Sequence, residues 1–186
     1  MVEKIIKTTI INLKESKTIL YPTDTVWGLG CDATNEEAVK KIYKLKSREE
    51  SKSLIILVDS IKMLLNYVES IPEKALQILK ESKKPTTIIY NNPKGLAPNT
   101  IASDNTIAIR IPQDEFCIQL IKEFGKPIVS TSANVSGEPT PKSFSEISEA
   151  ILKNVDYVVN LHQDKVAEKS STILKIEGDD VIVIRE

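Results

Sequence analysis

Apolar residues recur at Ile6, Ile10 and Leu13, a spacing that predicts an amphipathic helix over residues 3–15. Residues 18–21, Thr-Ile-Leu-Tyr, follow as a strand stopped by Pro22. The run Thr34-Asn35-Glu36-Glu37 has the form of a capping box, in which the Thr34 hydroxyl accepts from a backbone N–H while Glu37 reaches back. The helix it opens carries Ala38, Ile42 and Leu45 on one face. Residues 54–58 are short, continuous and apolar, the pattern of a buried strand. Two helical pieces follow over 61–67 and 72–80, with Pro72 at the first helical position. Strands are predicted at 86–90 and 106–111, flanking a polar loop that contains Pro93, Gly95 and Pro98. Phe116, Leu120 and Phe124 share a helix face closed by Gly125, and a short strand covers 127–130. A helix at 143–152, a strand at 157–160 and a hairpin of 172–176 with 181–184 around Gly178-Asp179-Asp180 complete the chain. Strands joined by both helices and tight turns imply one α/β domain, residues 1–186, with a mixed parallel and antiparallel sheet.

Composition narrows the function classes. At 186 residues, with 41% hydrophobic and 27% charged, the chain is long enough for one well-filled core and is not a disordered segment. Lysine and arginine total 25 against 26 acidic residues, which excludes a strongly basic duplex-coating protein but leaves room for a local basic patch. The longest apolar runs fall far short of the ~20 residues of a membrane span, and the N-terminus lacks a signal-peptide core. A cytoplasmic location is expected. Cys31 and Cys117 have no CxxC spacing and His162 is alone, so no disulfide framework, zinc site or histidine metal cluster is expected.

Three clusters could carry chemistry, and each has a purely structural alternative. Residues 21–30, YPTDTVWGLG, set hydroxyls and two glycines just past a strand end, either to meet a ligand or to form a tight turn capped by Asp24. Lys44, Lys46, Arg48 and Lys52 gather near a helix C-terminus, where cations suit the helix dipole. They are also the residue types of a polyphosphate clamp, arginine giving bidentate contacts and lysine a point charge. Residues 130–137, STSANVSG, are either a plain loop or a phosphate nest built from backbone N–H groups and hydroxyls. Arg110, a charge within a strand pattern, is either an outward side chain or a carboxylate-binding fork. Ser170-Ser171-Thr172 and Arg185 are weak signals alone.

In order along the chain, the strings YPTDTVWGLGCDA, KxRxxxKxL from Lys46 to Leu54, PTT at 85–87, IAIRIP, STSANVSGEPTP and SSTI resemble the YrdC-type threonylcarbamoyl-AMP synthase family. The resemblance runs from Tyr21 to Arg185 and outweighs the structural alternatives taken singly. It implies a twisted mixed sheet with flanking helices around a large basic cavity. It also implies a reaction, L-threonine with bicarbonate and ATP giving L-threonylcarbamoyl-AMP and pyrophosphate. That product feeds a separate transferase complex that modifies tRNA. By the same resemblance Thr23, Arg110, Ser132 and Ser171 hold threonine, and Lys46, Arg48, Lys52, Ser132, Asn134 and Arg185 line the nucleotide and its phosphates. ATP is then a substrate, with magnesium travelling on it rather than in a protein cage. No protein nucleophile is required, because positioned cations and hydroxyls can stabilise the departing pyrophosphate. The chain departs from the family at Glu49, where proline is frequent, and at Lys84, where glycine is usual. Two rival readings remain: a double-stranded RNA or tRNA-binding module, weakened by 5% aromatic content, and another carbamoyl-adenylate-forming enzyme of the same fold.

Overall fold

The computed structural model describes residues 1–49, 54–167 and 169–186. Helix α1 (Val2–Lys14) buries Ile6, Ile10 and Leu13, the predicted stripe, and Thr9 beside them. Strands β1 (Ile19–Tyr21) and β2 (Gly28–Gly30) pair antiparallel across the residue 22–27 turn. Helix α2 (Glu36–Lys46), β3 (Ile55–Leu57), α3 (Ile61–Tyr67), α4 (Glu73–Glu81), β4 (Thr86–Asn91) and β5 (Thr106–Arg110) come next. They are followed by α5 (Glu115–Phe124), β6 (Ile128–Ser132), α6 (Glu149–Leu152), β7 (Tyr157–Val158), β8 (Thr172–Glu177) and β9 (Asp180–Arg185). Among the described residues one sheet forms, in the order β7-β1-β2-β6-β3-β5-β4-β8-β9. The pairs β1–β7, β3–β5 and β4–β8 are parallel and the others antiparallel, so the mixed sheet is as expected.

Side chains alternate across a strand, so the register sorts the sheet into two faces. One face carries Leu20, Leu29, Ile56, Ile88, Ile107, Ile109 and Val129 into the larger core, which α2, α3 and α4 cover with Ala38, Ile42, Leu64 and Ala75. The other face is shared. At one end Ile19, Tyr21, Leu57 and Ile128 pack under Ile6, Leu13, Phe116, Leu120 and Ile121 of α1 and α5. At the other end the same alternation brings up Ser130, Ile55, Ala108, Arg110 and Ile89, which line a cavity.

Three local expectations need correction. Helix α2 is capped one residue later than the capping box predicts: the Asn35 side chain accepts from the Ala38 N–H, while the Thr34 side chain is turned back toward Asp32, to which its hydroxyl donates at 2.6 Å. Pro72 is the residue before α4 rather than its first, with an extended ψ of 144°. The predicted helix at 143–152 is broken into a single 3₁₀ turn (Phe144–Glu146) and α6, with Ile147 extended between them (ψ 126°) and turned into the core.

Candidate active-site cavity

The cavity, about 340 Å³, opens over the sheet face that α1 and α5 leave free. Its floor is a cross-strand row, Ser130–Ile55–Ala108–Ile89, contributed by β6, β3, β5 and β4. A second row, Arg110–Thr87–Ile173–Arg185, runs from β5 through β4 and β8 to β9, so two arginines 75 positions apart in sequence share one line across the sheet. Arg48, just beyond α2, joins Arg110 and Arg185, and among the described residues the lining holds three arginines and no carboxylate. Thr25, Ser130, Thr131, Ser132, Thr140, Ser170 and Ser171 supply hydroxyls. Burial, and then the charge of Arg110, lower the pKa of Arg185 from its usual value; the two guanidinium groups oppose each other and favour an anion between them.

Arg110 is buried at 3% exposure and forms an ion pair with Asp24, whose other oxygen accepts from the Gln113 N–H at 3.0 Å. Its Nη2 makes only a long donation to the Thr25 hydroxyl, 3.4 Å, and its Nε is buried with no partner among the described residues. One edge of the fork is thus anchored by Asp24 and the other is weakly engaged. Arg185 donates from Nε and Nη2 to the Ser171 carbonyl at 3.1 and 2.8 Å, and the Ser171 hydroxyl is 2.8 Å from that of Thr87. This network fixes the 170–172 segment against β4 and β9.

Of the residues the sequence singles out, Arg48, Arg110, Ser132, Ser171 and Arg185 line the cavity together. Thr23, Lys46 and Asn134 do not. The Thr23 hydroxyl is spent inside its own turn, donating to the Val26 carbonyl at 2.8 Å and accepting from the Thr25 N–H at 3.0 Å. Thr25 and Val26 are the turn residues that reach the cavity. Lys46 is buried beneath the 132–138 loop, and the Asn134 amide donates to the carbonyls of Val135 and Glu138. Lys52 lies outside the described residues.

The phosphate-nest reading of residues 130–137 also changes. The N–H groups of Ala133, Asn134 and Ser136 already donate to the carbonyls of Trp27, Ser132 and Lys46, so these three are not offered to an anion, whereas Ser130, Thr131 and Ser132 line the cavity. The glycines of GLG sit in β2 without positive φ, and their role is close approach. A Cβ on Gly30 would stand 2.4 Å from the Val129 carbonyl oxygen. Lys84 makes its turn without a positive φ, its carbonyl accepting from the hydroxyls of Ser82 and Thr86, so glycine is not needed there. Thr25, Ser130, Thr131, Thr140 and Ser170 also line the cavity; all but Thr140 fall within the candidate clusters of the sequence, which assigned none of them an individual role. Ser130 was accessible in principle, because it lies two residues before Ser132 on the same face of one strand.

Among the described residues no group of three or more His, Cys, Asp or Glu side chains could hold a metal ion, and no helix is long and apolar enough to cross a membrane. Burial pushes the thiols of Cys31 and Cys117 well above their ordinary pKa, which suits packing and not nucleophilic attack.

A family model described as Sua5_yciO_yrdC, telomere recombination, matches residues 12–186. A putative threonylcarbamoyl-AMP synthase of Methanocaldococcus jannaschii is 39% identical over 173 residues, 91% of this chain and 79% of that relative. The threonylcarbamoyl-AMP synthase of Bacillus subtilis is 33% identical over 175 residues, 93% of this chain and 50% of that relative. A crystal structure of P. abyssi Sua5 complexed with L-threonine matches with a TM-score of 0.88 at 28% identity, covering 100% of this chain and 54% of that one. E. coli YciO matches with a TM-score of 0.86 at 22% identity, a likeness of fold. The chain spans about half the length of the Bacillus and Pyrococcus proteins.

Proposed function

The chain belongs to the Sua5/YciO/YrdC family, and on that premise we propose that it is an L-threonylcarbamoyladenylate synthase, joining L-threonine, bicarbonate and ATP into threonylcarbamoyl-AMP with release of pyrophosphate. The observation that carries the reading is the lining of the cavity: among the described residues it holds three arginines, a run of hydroxyls and no carboxylate, over an apolar strip made by Ile55, Ala108 and Ile89. This is an electropositive setting for a polyphosphate beside a small amino acid.

In this reading Arg48 and Arg185 take the phosphates, with Lys52 joining them. Arg110 takes the threonine carboxylate on the fork edge that Asp24 leaves open, which would give its buried Nε an acceptor. Hydroxyls of Thr25, Ser132 and Ser171 orient the substrate. Thr23, Lys46 and Asn134 support these groups from behind. The neutral threonine amine attacks the bicarbonate carbon and water leaves, giving the carbamate. A carbamate oxygen then attacks the α-phosphorus, the bond to pyrophosphate breaks, and the negative charge that grows on the leaving group meets fixed guanidinium donors. Magnesium arrives with ATP, coordinated by phosphate oxygens. The product is handed to a tRNA-modifying transferase in the cytoplasm. The test is pyrophosphate release by the purified chain. Release should require both L-threonine and bicarbonate, with the adenylate detected by mass. Release at the same rate without threonine would refute the assignment.

A further inference from the structure

Lys46 ends α2 two residues before Arg48, yet the fold sends the two side chains to different places. Arg48 reaches the cavity, whereas Lys46 is 1% exposed and its Nζ donates to the carbonyl oxygens of Ser132 at 2.5 Å and Asn134 at 2.7 Å. Its own carbonyl accepts from the Ser136 N–H at 2.7 Å. One residue therefore grips residues 132–136 with both side chain and main chain.

Resting on the synthase reading, we propose that Lys46 is a positioning residue: its ammonium draws the Ser132 and Asn134 carbonyls back from the cavity and fixes the loop so that the hydroxyls, not the carbonyls, face the bound anion. Carbonyl oxygens carry partial negative charge and would repel a phosphate placed against them. Tied to a cation behind the loop they are turned out of its way, and the cation adds its field without touching the ligand. The donors fit this, because the N–H groups of Ala133, Asn134 and Ser136 are also used inside the protein, while Ser132 lines the cavity.

A buried ammonium is costly unless it is hydrogen-bonded, and two short charge-assisted bonds are what retain it. Residues 132–136 bring no ionisable side chain to it, and among the described residues the charge that acts on it is that of Arg48 on its own side. Burial first, and Arg48 second, push its pKa down to about 8. The loop also has a built-in reporter: the Ala133 N–H donates to the carbonyl of Trp27, the chain's single tryptophan, at 3.0 Å, and the Trp27 ring lies 5.0 Å from that of Phe144.

The experiment compares the whole chain with Lys46→Met, Lys46→Gln and Arg48→Ala, reading Trp27 emission and acrylamide quenching without ligand, and then ATP binding. Lys46→Met should raise quenching in the ligand-free protein and weaken ATP by roughly tenfold, the loss of one charge-assisted hydrogen bond from the displaced Ser132 hydroxyl to a phosphate. Lys46→Gln, which keeps N–H donors and loses the charge, should restore part of both. Arg48→Ala should leave ligand-free quenching as in wild type while losing ATP. Wild-type Trp27 emission should titrate near pH 8, the value to which burial brings Lys46, with the step absent from Lys46→Met. The proposal is overturned if Lys46→Met keeps wild-type quenching and the pH step but loses ATP, since the lysine would then be a direct phosphate ligand. It is equally overturned if the variant changes nothing. If Lys46→Met fails to fold, Lys46→Gln decides: ATP binding that falls in step with quenching supports the positioning role, and ATP binding lost with quenching intact refutes it. Because Trp27 is read without ligand, this outcome is independent of whether threonine and bicarbonate are the substrates.

Discussion

Arg110 is buried, charged and held by one carboxylate, Asp24, from the turn between β1 and β2. A buried pair of this kind adds little net stability, but removing one partner leaves an uncompensated charge in a low-dielectric site. Asp24→Ala should therefore destabilise the protein by about 3–5 kcal/mol, measured by urea unfolding, whereas Asp24→Asn retains an acceptor and should cost less. An Asp24→Ala protein as stable as wild type would mean that water reaches Arg110 freely. The sequence placed Asp24 in a turn and Arg110 in a strand, and both placements hold. The pairing of residues 86 positions apart could not be read from either segment.

At the scale of elements, β2 shows why short strands can be exacting. It lies between β1 and β6, and its glycines are set by what crosses above them. At Gly30 a Cβ would meet the Val129 carbonyl oxygen at 2.4 Å and the Tyr21 ring at 2.7 Å, and a backbone atom in a central strand has nowhere to go. Gly125, which closes α5 at φ 76°, has nothing near its would-be Cβ, so alanine there meets only backbone strain. Gly30→Ala should cost about 3 kcal/mol, the upper end of typical overpacking, and Gly125→Ala about 1 kcal/mol, the penalty of a left-handed alanine. Thermal unfolding of the two variants tests the contrast, and equal losses would contradict it. Periodicity and capping chemistry made Gly125 legible as a helix stop, while nothing local marked Gly30 as a crossing point.

At the scale of the molecule the cavity is a property of sheet order. Arg110 and Arg185 come into one row only because β4 and β8 lie between β5 and β9, and Ser132 joins them because β6 crosses back beside β3. If Arg110 grips the substrate carboxylate by its open edge, an ammonium cannot reproduce the two-pronged contact, and Arg110→Lys should sharply lower kcat/KM for threonine. The hydroxyls of Thr25, Ser132 and Ser171 around it should read the threonine hydroxyl. 2-Aminobutyrate, which would leave one of them unpaired, should then be rejected more strongly than serine, for which a missing methyl costs roughly 10- to 200-fold. Comparing kcat/KM for threonine, serine and 2-aminobutyrate on wild type and Arg110→Lys checks both statements. Equal use of threonine and 2-aminobutyrate would remove the hydroxyl-reading role.

Local pattern determined most of the elements of this protein. Hydrophobic spacing located α1, α2 and α5, continuous apolar runs located β3 and β5, and the order of six short strings pointed to the family. These signals are local because helix faces, strand alternation and turn chemistry act over a few residues. Where local signals competed, sequence alone chose wrongly: the capping role passed from Thr34, whose side chain turns to Asp32, to Asn35, and the 143–152 helix broke so that Ile147 could turn inward. Tertiary structure alone decided which cations face the cavity. Lys46 and Arg48 are two residues apart at the end of one helix and are alike in charge. One is drawn under a loop whose carbonyls need a donor, and the other is left at the cavity wall, because strand order sets residues 132–136 directly over Lys46.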